Sequence, residues 1–128
     1  MKPLTHEWVE KAEGNFATAR REVRVRKAPN DDAVCFHAQQ CAEQYLKACL
    51  QEADMPCGRT HTLPALLDLL LPLAPGLDTL RAHLRALTVF AVDVRYPGES
   101  ADKAEAQEAL LLCHAVRRCL RLHLGLEP

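Results

Sequence analysis

The segment DAVCFHAQQCAEQYLKACLQEA, residues 32–53, decides the fold. Its Val34, Ala38, Cys41, Ala42, Tyr45, Ala48 and Cys49 recur at steps of three and four. That period lines up one stripe on an α-helix, whereas a strand would alternate its faces at every residue. The spacing predicts a helix over about Asp32 to Ala53. Just ahead of it, Pro29-Asn30-Asp31-Asp32 breaks the preceding element and offers capping oxygens.

Toward the N-terminus, Trp8, Ala12, Phe16, Ala19 and Val23 trace one face of a helix expected from about Thr5 to Lys27, with Thr5 as its N-cap. These two helices should form a long antiparallel hairpin. Toward the C-terminus, Met55-Pro56-Cys57-Gly58 reads as a loop, and Thr62 is placed to cap a short helix, Leu63 to Leu71, that stops at Pro72. Pro75-Gly76 restarts the chain into a fourth helix, about Leu77 to Val92, with Leu80, Leu84, Leu87 and Val89 or Phe90 inward. Arg95-Tyr96-Pro97-Gly98-Glu99 carries a turn signature. Ser100 is the expected cap of a last helix running to about Leu124, with Ala104, Leu111, Ala115, Cys119 and Leu122 among its apolar positions. No sustained alternation of apolar and polar residues and no repeat interrupts this pattern. The expectation is therefore all-α: an up-and-down helical bundle of four long helices plus one short helix, forming a single domain over residues 1–128.

Composition agrees. Hydrophobic residues make up 48% of the 128 residues and aromatics only 5%, with 5 glycines, a profile that favours helices. Sixteen Lys plus Arg against 17 Asp plus Glu leave a formal charge of -1, so there is no global basic field for nucleic acid or membrane, and any such site must be local. Neither a signal-like N-terminus nor an apolar run near the roughly 20 residues of a membrane span is present, and a cytoplasmic protein is expected. Cys35, Cys41, Cys49, Cys113 and Cys119 fall inside helical patterns, which reads as reduced, mostly buried thiols rather than a disulfide framework.

The stretch from Cys35 to Ala48, with Phe36-His37-Ala38-Gln39-Gln40 at its start, resembles the long helix of HEPN domains, the higher-eukaryote and prokaryote nucleotide-binding family. Trp8 on a first helix, Arg59-Thr60-His61-Thr62-Leu63 followed by Leu66-Leu67, and Arg95-Tyr96-Pro97 before an Ala-rich final helix follow in the same order, so the resemblance covers nearly the whole chain. It implies a bundle that often forms a homodimer and is commonly paired with a minimal nucleotidyltransferase in two-gene modules of toxin and antitoxin type. In several branches it implies a metal-independent RNase that uses an Arg, four to six intervening residues and a His on a late helix.

Arg118 and His123 have that spacing, as does Arg117 with His123. In such a pair the His shuttles the 2′-hydroxyl proton and the Arg steadies charge on the phosphate. With 11 Arg and 6 His in the chain, however, random placement yields roughly one or two matches, and the bland reading of Arg117, Arg118 and Arg121 is a solvated face near a helix C-terminus. His37, Gln40, Glu43 and Lys47 lie along one flank of the second helix, where a nucleotide or RNA phosphate would meet Lys47. The bland alternative is an interior His37 and an i,i+4 Glu43–Lys47 pair. Arg95 and Tyr96, before a proline, suit phosphate clamping and base stacking, or else a structural cap with a half-buried ring. Arg20, Arg21, Arg24, Arg26 and Lys27 concentrate positive charge at the end of the first helix, for RNA phosphates or simply for solvent. The His37/Cys41 and Cys57/His61 spacings lack a second matched pair, so no metal and no cofactor are expected. The competing function is a non-catalytic nucleotide-binding or protein-interaction module.

Overall fold

The computed structural model describes residues 1–90 and 96–128. The described residues form five α-helices and one 3-10 helix joined by loops: α1 Pro3–Val23, α2 Asp31–Glu52, α3 Leu63–Leu70, a 3-10 helix Pro75–Leu80, α4 Arg81–Phe90 and α5 Lys103–His123. The expected all-α bundle is what forms. In the hairpin of α1 and α2, the cross-links Thr5 to Glu52, Glu13 to Tyr45 and Asn15 to His37 run in opposite directions along the two helices. α5 runs antiparallel to α1, with Ala19 near Ala106 at one end and Glu13 near Arg117 and Arg121 at the other.

α2 is the central element. Every residue from Tyr45 to Leu50 is buried, Lys47 included, so α1, α3, α4 and α5 cover it on all sides. A helix enclosed in this way needs small residues where neighbours come close, and Ala38, Cys41, Ala42, Ala48 and Cys49 supply them. Cys35, Cys41, Cys49 and Cys113 are buried free thiols, and the stripe read from the sequence of α2 is buried throughout.

Several boundaries differ from expectation. α1 starts at Pro3, whose missing N–H costs nothing in the first turn, so Thr5 is not its cap. Thr5 is instead fully buried, and its hydroxyl donates to Glu52 Oε1 at 2.9 Å, beside the Lys2 N–H at 3.0 Å. Thr62 occupies the N-cap position of α3 without a side-chain bond. The expected single helix from Leu77 begins as 3-10 turns and becomes α-helical at Arg81, while the expected end at Val92 lies outside the described residues. Of the two inward candidates, Phe90 packs against the core and Val89 is exposed.

The last helix departs most. Asp102, not Ser100, caps it: Asp102 Oδ1 accepts from Glu105 N at 2.7 Å while Glu105 Oε1 accepts from Asp102 N at 3.2 Å, a reciprocal capping box. Its buried stripe is Ala106, Ala109, Cys113, Val116 and Leu120, whereas Ala104, Leu111 and Leu122 face outward. The reason is that α5 is apolar around much of its circumference, with Leu110, Leu111 and Leu112 in succession, so periodicity alone leaves its rotation open. Small residues that allow close approach to α2, and two arginines drawn to Glu13, fix the rotation.

Candidate functional site

Three polar groups of side chains stand out in the bundle. The first joins α1, α2 and α5. Arg117 donates from Nε and a terminal nitrogen to the two oxygens of Glu13, both at 2.7 Å, a bidentate fork. Tyr45 donates its hydroxyl to Glu13 Oε2 at 2.5 Å and accepts from Arg121 at 2.9 Å, while Arg121 Nε reaches the Glu127 carbonyl at 2.5 Å. Burial by itself would raise the Glu13 carboxyl, but the hydrogen bonds from Arg117 and Tyr45 and the two guanidinium charges outweigh it and hold the group below its ordinary value. The Tyr45 phenol is pushed up, first by burial and then by its bond to the Glu13 carboxylate. Arg117 also lies over the Phe16 ring, 4.4 Å from its centroid, with Arg20 on the same ring at 5.5 Å and His114 edge-on at 5.8 Å. Arg117 and Arg121 are thus internal structural cations and not the solvated face the sequence suggested.

The second group lies on the far side of α1. Asn15 Nδ2 donates to Gln44 Oε1 at 2.7 Å and to the Lys11 carbonyl at 3.3 Å, which leaves Asn15 Oδ1 as an acceptor for His37 Nδ1 at 2.6 Å. In the third group, Lys47 Nζ donates to Glu43 Oε2 at 3.0 Å and to His61 Nδ1 at 3.1 Å, and stands 5.5 Å from the centre of the Trp8 ring. Gln39 adds a bond to Glu43 at 3.4 Å. Lys47 and Glu43 are each only 8% exposed, so the ammonium is satisfied inside the bundle rather than presented to solvent. A cleft of about 260 Å³ opens beside Trp8, lined by Leu4, Glu7, Lys11 and Gln51.

The set expected on α2 is therefore divided. His37 is bonded to α1 and Gln40 is half-buried, while Glu43 and Lys47 form the i,i+4 pair and reach toward His61. Arg95 lies outside the described residues. Tyr96 is exposed and opens the expected turn: its carbonyl accepts from Glu99 N at 2.8 Å, with Gly98 at φ +90°, a conformation that glycine alone adopts cheaply. Arg118 and His123 are both exposed on α5, and five residues of helix set them about 140° apart around its axis. A single chain does not bring them together.

At the C-terminal end of α1, Arg20, Arg21, Arg24, Arg26 and Lys27 are all exposed, and none makes an ion pair with another described residue. Nearby, Glu22 accepts from Asn30 N, Asp32 from Ala101 N and Asp102 from Glu105 N. The cations themselves face solvent. Glu13 and its pairing with Arg117 and Arg121 were missed in the sequence because nothing linear ties residue 13 to residues 117 and 121. The only signal was an arginine pair four apart on a helix, which also describes a solvated face.

An all-helical bundle built around one enclosed central helix, with polar clusters at its seams and a basic end, defines a class of small helical modules. The sequence matches the HEPN domain over residues 5–123, and the chain belongs to that family. The fold is also that of TT1696 from Thermus thermophilus, which is 25% identical with a TM-score of 0.71, the match covering 92% of this chain and 96% of that one. An archaeal HEPN homologue, ST0689, is 22% identical with a TM-score of 0.69, over 97% and 99% of the two chains. No curated protein matches. Among the described residues no helix is long and apolar enough to cross a membrane, and no three His, Cys, Asp or Glu side chains gather in a metal-binding arrangement.

Proposed function

We propose that this chain is the binding component of a cytoplasmic two-gene module of toxin and antitoxin type, acting as a homodimer with a minimal nucleotidyltransferase and holding the phosphates of RNA or a nucleotide at the basic end of α1. The observation that carries this reading is the run of five exposed cations from Arg20 to Lys27, none of which makes an ion pair with another described residue. Phosphate contacts by such a cluster give an affinity that falls steeply with salt. Binding is favoured over cleavage because Arg118 and His123 diverge around α5, while Arg117, the other arginine with suitable spacing, is neutralised by Glu13.

The test is fluorescence anisotropy with a labelled single-stranded RNA, comparing the wild type with an Arg20→Glu, Arg24→Glu variant. Roughly tenfold or greater loss of affinity in the variant, together with a shallower salt dependence, supports the site. Equal affinity in both proteins moves the ligand elsewhere, first to His37, Gln40, Glu43, Lys47, Arg95 and Tyr96. A metal-free RNA cleavage assay with His123→Ala beside the wild type decides the enzymatic alternative: cleavage lost in that variant makes the module an RNase through α5.

A further inference from the structure

Phe36 departs from the burial of its neighbours on α2. Val34, Cys35 and Ala38 are buried, yet the Phe36 side chain is 52% exposed. Single apolar residues at a surface are common, so exposure alone argues for nothing. What sets Phe36 apart is how it is held. Its ring meets the His37 ring edge to face, with centroids 5.2 Å apart and planes at 78°. His37 is bonded to Asn15 at 2.6 Å and Asn15 to Gln44 at 2.7 Å, which pins the pair of rings across the seam of α1 and α2. An edge-to-face contact occupies at most one face of the phenyl ring. Cations reach the same seam. Thr18 lies on the flank of α1 that Asn15 and Glu22 turn toward α2, and Arg21 donates to the Thr18 hydroxyl at 3.4 Å. Arg26 and Lys27 precede Asn30, the N-cap of α2, which is about 9 Å of helix before Phe36. Glu22, Asp31 and Asp32 share this stretch, so residues 20–32 carry five cations and three carboxylates, a net charge of +2.

We propose that Phe36 is the stacking platform for one unpaired base of a single-stranded RNA whose flanking phosphates lie on Arg21, Arg24, Arg26 and Lys27. The inference rests on the phosphate site proposed at the basic end of α1 and adds which form of RNA that site takes. Cations read the phosphates of single strands and duplexes alike, so by themselves they carry little preference. A phenyl ring supplies one. In a duplex each base is paired and stacked inside the helix, where its face is out of reach, whereas a single strand can turn a base outward onto an aromatic side chain. The ring is positioned in advance by His37, Asn15 and Gln44, so stacking orders little of the protein and little affinity is lost to that ordering. Every base offers a π face to such a ring, so the preference is for strandedness and not for sequence.

Fluorescence anisotropy with a labelled single-stranded RNA, and with the same RNA annealed to its complement, tests this on the full chain. The wild type should bind the single strand about tenfold tighter than the duplex. Phe36→Ala and Phe36→Leu should each lose about tenfold on the single strand and keep the wild-type salt slope, because no phosphate contact is removed. Their duplex affinity should not change, which also shows that both variants are folded. Phe36→Trp should return to within about threefold of wild type, with RNA quenching an indole emission that the wild type, whose one tryptophan is Trp8, lacks. Undiminished single-strand affinity in Phe36→Ala, or equal losses on both RNAs, would overturn the proposal. Affinity lost in Arg20→Glu, Arg24→Glu but kept in Phe36→Ala overturns the stacking and leaves the phosphate site standing. Single-strand affinity lost in Phe36→Ala alone keeps the stacked base and moves the phosphates to other cations.

Discussion

Glu13 illustrates how one residue ties three helices together. It sits one-third exposed on α1, yet it takes two bonds from Arg117 of α5 and one from Tyr45 of α2. Glu13→Gln removes the charge that satisfies Arg117 and should cost about 2 kcal/mol, below the value for a fully buried pair because solvent screens the site. The pH dependence follows from the depressed carboxyl. Glu13 stabilises the fold fully above the ordinary carboxylate range and loses that contribution as pH falls through its lowered native value. Urea midpoints of wild type and Glu13→Gln should thus differ at neutral pH and converge in acid; parallel curves throughout would remove the linkage. The thiols make a second case at this scale. The Cys41 thiol is pushed well up by its hydrogen-bonded neighbour Cys113 and by burial, and burial carries Cys49 to about 12. Under native conditions a thiol reagent should label Cys57 first and Cys119 next, leaving Cys35, Cys41, Cys49 and Cys113 unreacted until the chain unfolds. Rapid labelling of all six would contradict this packing.

At the level of elements, helix ends and helix rotation were the weakest part of the sequence reading. Thr5 and Ser100 are good capping residues by type, but the chain caps α1 without a side chain and α5 with Asp102, because Pro3 and the Asp102–Glu105 box each suit a terminus better. Asp102→Ala should lower stability by about 1 kcal/mol and speed amide exchange in the first turn of α5, whereas Ser100→Ala should do neither. Equal effects from the two would restore Ser100 as the cap. The rotation of α5 was not legible from periodicity because Leu110, Leu111 and Leu112 offer three phases at once. Its true phase shows only when Cys113 meets Cys41 and Arg117 meets Glu13.

For the whole molecule, the enclosed second half of α2 sets the order of opening. Amides from Tyr45 to Leu50 have neighbours on every side and should be the last to exchange with solvent, while the ends near Lys27 and His123 exchange early. Protection greater in α4 than in α2 would contradict the central placement of that helix. The same enclosure buries Lys47, where Glu43, His61 and the Trp8 ring meet its charge. The cations left over lie at the molecular end, where the hairpin turns.

By itself the sequence determined the helical class, the hairpin of α1 and α2, the buried stripe of α2 and the membership of the HEPN family, because these depend on periodicity and order along the chain. Only the tertiary structure decided which polar residues meet. The Glu13–Arg117 fork, the Lys47–His61 contact and the divergence of Arg118 from His123 depend on how each helix rotates against its neighbours. Rotation is set by which small residues allow close approach and which buried charges must find a partner, and that information is distributed over the whole chain rather than written in any one segment.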